Sequence, residues 1–139
     1  MASWQDVQAA ATALPEVVEA TSYGRPSWVV RRRTFAWERP LGRKDLADLG
    51  LAAQPGPVLG LRVADPGVAQ ALVATDRACF TIPHFRDFPA VLVRLDDLDP
   101  AELDELVVDA WLAMAPARLA ERWLNPAPGE PPRRRPPGT

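Results

Sequence analysis

Apolar residues recur along this chain in two rhythms, one of about 3.6 residues and one of about 2, and the switches between them mark its elements. Trp4, Val7, Ala11 and Leu14 fall on one helical face, and Ser3 with Asp6 forms a variant capping box at its start. Pro15 ends that pattern, and "EVVEATSYGRP" then reads as a loop punctuated by Gly24 and Pro26. "SWVV" and "TFAWE" are rich in β-branched and aromatic residues and predict a hairpin over 27–31 and 34–38. Its turn contains neither Gly nor Asn, so the turn type is open. Phe35 and Trp37 are expected on one face of the second strand, with Trp37 in the core.

A basic loop leads into a short helical turn at Lys44–Leu49. "PVLGLRV", 57–63, is another strand, with Leu59, Leu61 and Val63 pointing inward. Asp65 caps a helix that has Pro66 at its first position, where a missing amide proton costs nothing. Val68, Leu72 and Ala71 are its expected core residues. "ACFTI" and "AVLVRL" read as two strands joined through "PHFRDFP". The clearest amphipathic helix follows an Asp99 cap: Leu103, Leu106, Val107, Ala110, Trp111 and Met114 repeat at helical spacing. Pro116 breaks it and opens a last short helix through Leu124. The order α–β–β–β–α–β–β–α–α predicts an α+β domain over residues 1–124, with one mainly antiparallel five-stranded sheet and helices on its apolar face. Residues 125–139 hold six prolines and no aliphatic residue larger than Ala, which predicts a disordered Pro/Arg-rich tail.

Composition narrows the function classes. With 139 residues, 47% of them hydrophobic, the chain has the means for one packed core. No run is apolar enough to span a bilayer, and "MASWQDVQAA" lacks the basic segment of a signal peptide. A single Cys excludes an internal disulfide. A soluble, bacterial-style cytoplasmic protein is expected, with a monomer as its state and no membrane partner. The net charge of −2 argues against nonspecific nucleic-acid binding, but its distribution is uneven. From Arg25 to Lys44 there are six Arg and one Lys against Glu38 alone, and from Asp96 to Asp109 seven acids and no base.

Three stretches resemble a known family. "LPEVVEATSYGRPSW" at 14–28, "ACFTIPHFRDFPAVLVRL" at 78–95 and "LVVDAWLAMAPARLA" at 106–120 are similar, in this order, to the MmcQ/YjbR proteins. The series T-x-Y-G-x-P, T-x-P-H and A-W-x-x-x-A-P carries the resemblance, which covers residues 3 to 124. It implies a compact α+β fold like that of frataxin-type proteins and type III secretion chaperones. Members are commonly labelled DNA-binding, after a "double wing" of sheet and hairpins. Relatives often carry Gly-Lys at the first hairpin turn, where this chain has Arg32-Arg33.

Candidate chemistry is sparse. Cys79 and His84 are the only Cys and His and sit five positions apart. A dyad needs a thiolate paired with an imidazole. The simpler reading makes Cys79 a small core residue and has His84 tie the turn through ring-to-backbone hydrogen bonds. Zinc fails on ligand inventory, and Asp96, Asp97 and Asp99 read as helix-start acids before a cation site. Phosphate-loop and dinucleotide motifs are absent, so neither enzyme nor cofactor is expected. That leaves the basic stretch. Arg31, Arg32 and Arg33 at a hairpin tip, continued by Arg39, Arg43 and Lys44, are expected to form one contiguous positive surface for the phosphates of DNA. Trp28 or Trp37 would add a stacking platform if exposed. "PPRRRPP" in the tail would add nonspecific phosphate affinity. Two other classes stand beside this one: a protein-interaction module using the sheet face or the acidic helix, and a metal binder or uncharacterised enzyme.

Overall fold

The computed structural model describes residues 1–126; the expected disorder of the tail falls, beyond Asn125 and Pro126, outside the described residues. The chain runs α1 (Trp4–Thr12), β1 (Val17–Ser22), β2 (Arg25–Val30), β3 (Arg33–Glu38), α2 (Arg43–Leu49), β4 (Val58–Arg62), α3 (Pro66–Thr75), β5 (Cys79–Phe80), β6 (Ala90–Arg94), α4 (Pro100–Met114) and α5 (Ala117–Leu124). Single 3-10 turns cover Pro83–Phe85 and Leu95–Asp97. The strands form one antiparallel sheet in the order β1-β2-β3-β4-β6-β5. The α+β class holds, with six strands where five were expected.

The additional strand is β1, taken from the segment read as a loop. It pairs along its whole length with β2, from Val17 opposite Val30 to Ser22 opposite Arg25. Tyr23 and Gly24 make the turn, both with positive φ, as a two-residue hairpin of the primed type demands. β1 is an edge strand and mostly exposed, so no inward alternation betrays it in the sequence.

The main core lies between one sheet face and α1, α3, α4 and α5. Trp28, Phe35, Leu59, Leu61, Val91 and Val93 meet Val7, Leu103, Val107 and Trp111 there. α4 lies across β3 and β4 and packs on α1. Its cap is as expected: the Asp99 carboxylate accepts the Glu102 amide at 2.8 Å. The Asp65 carboxylate caps α3 by accepting the Val68 amide at 3.0 Å. On α3 the buried positions are Ala69 and, in part, Leu72, whereas Val68 and Ala71 face water. Val68 shares the side of Leu72, at a pocket with Leu61, Val63 and Leu106, and sits at its open edge in the first turn of the helix.

The opposite sheet face is also covered in part. A second, smaller cluster joins Val58, Phe80, Ile82, Phe85, Ala90 and Leu92, packed against Trp37, Leu41 and Leu49. Phe35 and Trp37 therefore do not share a face. Trp28 pairs with Ala36 but Val29 with Thr34, so β3 carries one extra residue at Phe35 and its alternation slips by one. Trp37 lies flat across β4: a Cβ on Gly60 would sit 2.5 Å from Cε2 of its indole. Only a glycine lets the backbone come that close.

Candidate nucleic-acid interface

The hairpin tip is where the cationic segment begins. Val30 pairs with Arg33, leaving Arg31 and Arg32 as a two-residue turn with φ of 48° and 69°. Side chains other than Gly and Asn adopt this left-handed conformation at a cost of about 1 kcal/mol or more. Both guanidinium groups are thereby thrown outward. Arg31 is matched by Glu16, whose two carboxylate oxygens accept from its Nε and Nη2. That hydrogen bond holds the Glu16 carboxyl below its ordinary range, with the Arg31 charge adding to it. Arg32 and Arg33 are exposed and form no ion pair among the described residues.

Arg39, Arg43 and Lys44 are not beside them. β3 runs between the two groups, and at about 3.3 Å per residue it separates them by roughly 15–20 Å. The single contiguous surface expected from the sequence is thus two separate ends of the sheet. At the far end the cations are largely matched. Arg39 pairs with Asp45 at 3.2 Å, donates to the Pro40 carbonyl and lies 5.9 Å over the Phe85 ring. Lys44 pairs with Asp48 at 3.0 Å, and Arg25 with Glu38 at 2.6 Å. Arg43 is exposed at the first position of α2.

Two arginines that the sequence did not single out stand on this side of the sheet: Arg62, which feels the charge of Arg33, and Arg86, two residues before the ring that Arg62 covers. β4 ends at Arg62, and the 83–89 segment leads into Ala90, which pairs with Arg62. Arg62 donates from Nε to the Pro89 carbonyl at 3.1 Å, and its guanidinium lies 4.6 Å from the centroid of the Phe88 ring. Burial, and after it the charge of Arg33, draws its pKa below the usual guanidinium value. Two positive groups are therefore held near each other. Arg86, two residues before Phe88, is exposed. Arg32, Arg33, Arg62 and Arg86 have no carboxylate within ion-pair distance among the described residues. Three acids share this end: Glu16, paired with Arg31; Asp65, engaged in capping α3; and exposed Asp87.

Phe88, 40% exposed, is the aromatic ring here. Trp28 is no stacking platform, being 1% exposed with its Nε1 donating to Glu19 at 3.1 Å. Trp37 is half-buried against Phe85, with ring centroids 6.4 Å apart. The only sequence signal for Arg62 is its outward place in an alternating strand. Arg86 has none, since only the fold brings the 83–89 segment under β4.

Cys79 and His84 do not make a dyad. Cys79 is buried in the main core, while His84 is exposed on the 3-10 turn with its ring 5.9 Å from that of Phe85. The His84 ring makes no hydrogen bond among the described residues, so the turn is held by Phe85 burial and by the Ile82 and Pro83 carbonyls accepting from the Phe85 and Arg86 amides. Burial pushes the Cys79 thiol up to about 12, with Asp76 adding to the effect. A raised folded-state value means that stability is constant below the unfolded thiol's range and is lost above it. We expect a loss approaching about 1.4 kcal/mol per pH unit from about pH 9 upward, absent in Cys79→Ala. Urea titrations of both chains at several alkaline pH values check this.

The acidic stretch is spread over one turn and α4, where Asp99 serves as cap. Among the described residues no group of three or more His, Cys, Asp or Glu is placed to hold a metal ion. No helix among them is long and apolar enough to cross a membrane.

Comparison with known proteins agrees with the resemblance. The chain is 41% identical over 128 residues to the uncharacterized protein Rv2570 of Mycobacterium tuberculosis, covering 89% of this chain and 97% of that one. The uncharacterized protein Mb2600 of Mycobacterium bovis matches to the same extent. Among solved structures, Deinococcus radiodurans protein DR2400, described as a DUF419 domain, superposes with a TM-score of 0.58 at 21% identity, over 81% of this chain and 78% of that one. That likeness speaks for the fold. The family model for YjbR matches residues 12–113, and the chain therefore belongs to the YjbR family.

Proposed function

We propose that this protein is a non-enzymatic nucleic-acid-binding protein whose contact surface is the hairpin-tip end of the sheet. The observation that carries this reading is that Arg33, next to Arg32 in the turn, lies near enough to Arg62 for its charge to act there, that Arg62 covers a part-exposed Phe88 beside Arg86, and that none of these four arginines has a carboxylate partner among the described residues. Unpaired guanidinium groups at one rim bind phosphates without a competing internal acid. Two of the residues first singled out, Arg32 and Arg33, stay in this surface. Arg31 is shared with Glu16, and Arg39, Arg43 and Lys44 stand at the other end as a separate, mostly neutralised group. The same reading has the chain acting as a monomer in the cytoplasm, where a lone buried thiol stays reduced.

Affinity from about four phosphate contacts falls with salt in a defined way. The slope of log K against log salt is expected to be about −3 to −4, so binding weakens about a hundredfold between about 50 and 200 mM salt. A fluorescence titration with labelled oligonucleotide at the two ionic strengths tests this. Absence of a complex at low salt would overturn the reading.

A further inference from the structure

A groove between α3 and residues 81–88 is lined by Arg86, and Arg62 reaches its rim over the Phe88 ring. Its volume is about 470 Å³, within the range of pockets that hold small ligands. Ala69 and Val73 of α3 form one wall and Ile82 and Phe85 the other, with Phe88 at the rim. Val73 is 37% exposed and Phe88 40%, so apolar surface is left facing the opening. The Phe88 ring is held from two sides, by Arg62 above it and by the Phe85 ring at 5.5 Å. Gln70, Thr81 and Arg86 are the polar groups of the lining.

We infer that this groove receives an unstacked base of a single-stranded nucleic acid, whose phosphates run over Arg86 and Arg62 towards Arg33 and Arg32. The inference rests on the proposed function and adds strandedness to it. A duplex keeps its base faces stacked; a single strand offers them to an apolar slot and an aromatic rim. The Gln70 amide supplies both donor and acceptor for a base edge, and the Thr81 hydroxyl either. Charge selects the occupant: a polyanion complements the arginines, whereas a second copy of this chain would set like charges against one another.

Three fluorescein-labelled probes separate the possibilities on the full chain at low salt: a single strand, the same strand with abasic sites, and the matching duplex. The intact strand is expected to bind about tenfold more tightly than the abasic one, within the range of one stacked base. Val73→Trp fills the groove from an exposed helix position; it should erase that advantage and leave abasic affinity unchanged. Phe88→Ala, in a surface segment, should reduce the advantage severalfold and serves if the tryptophan variant does not fold. Equal affinity for all three probes, or tighter binding of the duplex, overturns the groove and leaves the phosphate surface standing. No binding of any probe overturns both.

Discussion

Replacing Arg32, Arg33 and Arg86 together by alanine is expected to weaken oligonucleotide binding about a hundredfold at low salt and to flatten the salt slope from about −3 to about −1. The reason is additive counterion release: every phosphate left without its guanidinium keeps its counterions and takes its share out of the slope. These three side chains are exposed, so the variant should fold as the parent does. Arg62 is left in place because its guanidinium also fixes Phe88 and the Pro89 carbonyl. The paired variant Arg43→Ala, Lys44→Ala removes two cations from the other end and should change affinity by no more than about twofold, since surface pairs such as Lys44 with Asp48 are already satisfied. Fluorescence anisotropy of both variants across a salt series makes the comparison. Equal losses in the two variants would mean that the whole chain, and no particular end, attracts the polyanion.

Trp111→Ala is expected to be the most damaging single change to stability. Trp111 is fully buried in the last turn of α4, its Nε1 donates to the Pro15 carbonyl at 3.2 Å, and its ring meets Trp123 edge-on at 5.6 Å. One side chain thus ties α4 to the segment that leads into β1 and to α5. Truncation removes the burial, opens a cavity and leaves a carbonyl without its donor, for a loss of about 3–5 kcal/mol. That is a large part of the 5–15 kcal/mol typical of a domain, so partial unfolding at ordinary temperature should follow. Trp111→Phe keeps most of the volume and gives up the hydrogen bond, and should cost about 1–2 kcal/mol. Urea midpoints of the three chains measure the series.

What the sequence disclosed and what it concealed divide along physical lines. Helix caps are local: Ser3, Asp65 and Asp99 act within three residues, and all three accept the amides expected of them. The inward set of β4 is also plain, because Leu59, Leu61 and Val63 alternate against a fully buried face. β1 is hidden because an exposed edge strand has no apolar rhythm, although the Tyr23-Gly24 turn between two β-branched runs is a usable hint. The bulge at Phe35 breaks alternation from within, and no residue type announces it. The expected basic surface divides for a related reason. Arg33 and Arg39 are close in sequence, but an extended strand carries its ends apart. Arg62 and Arg86 are 24 positions apart in sequence and come to the same ring, Phe88, only through the pairing of β4 with β6.

The most direct test of the phosphate surface is a side-chain NMR titration that follows the arginine Nε–Hε signals as a short single strand is added at low salt. The account predicts that Arg32, Arg33, Arg62 and Arg86 shift together and saturate with one binding constant, while Arg25 and Arg43 stay in place. Shifts centred on Arg25 and Arg43, or none at the hairpin-tip end, would contradict it.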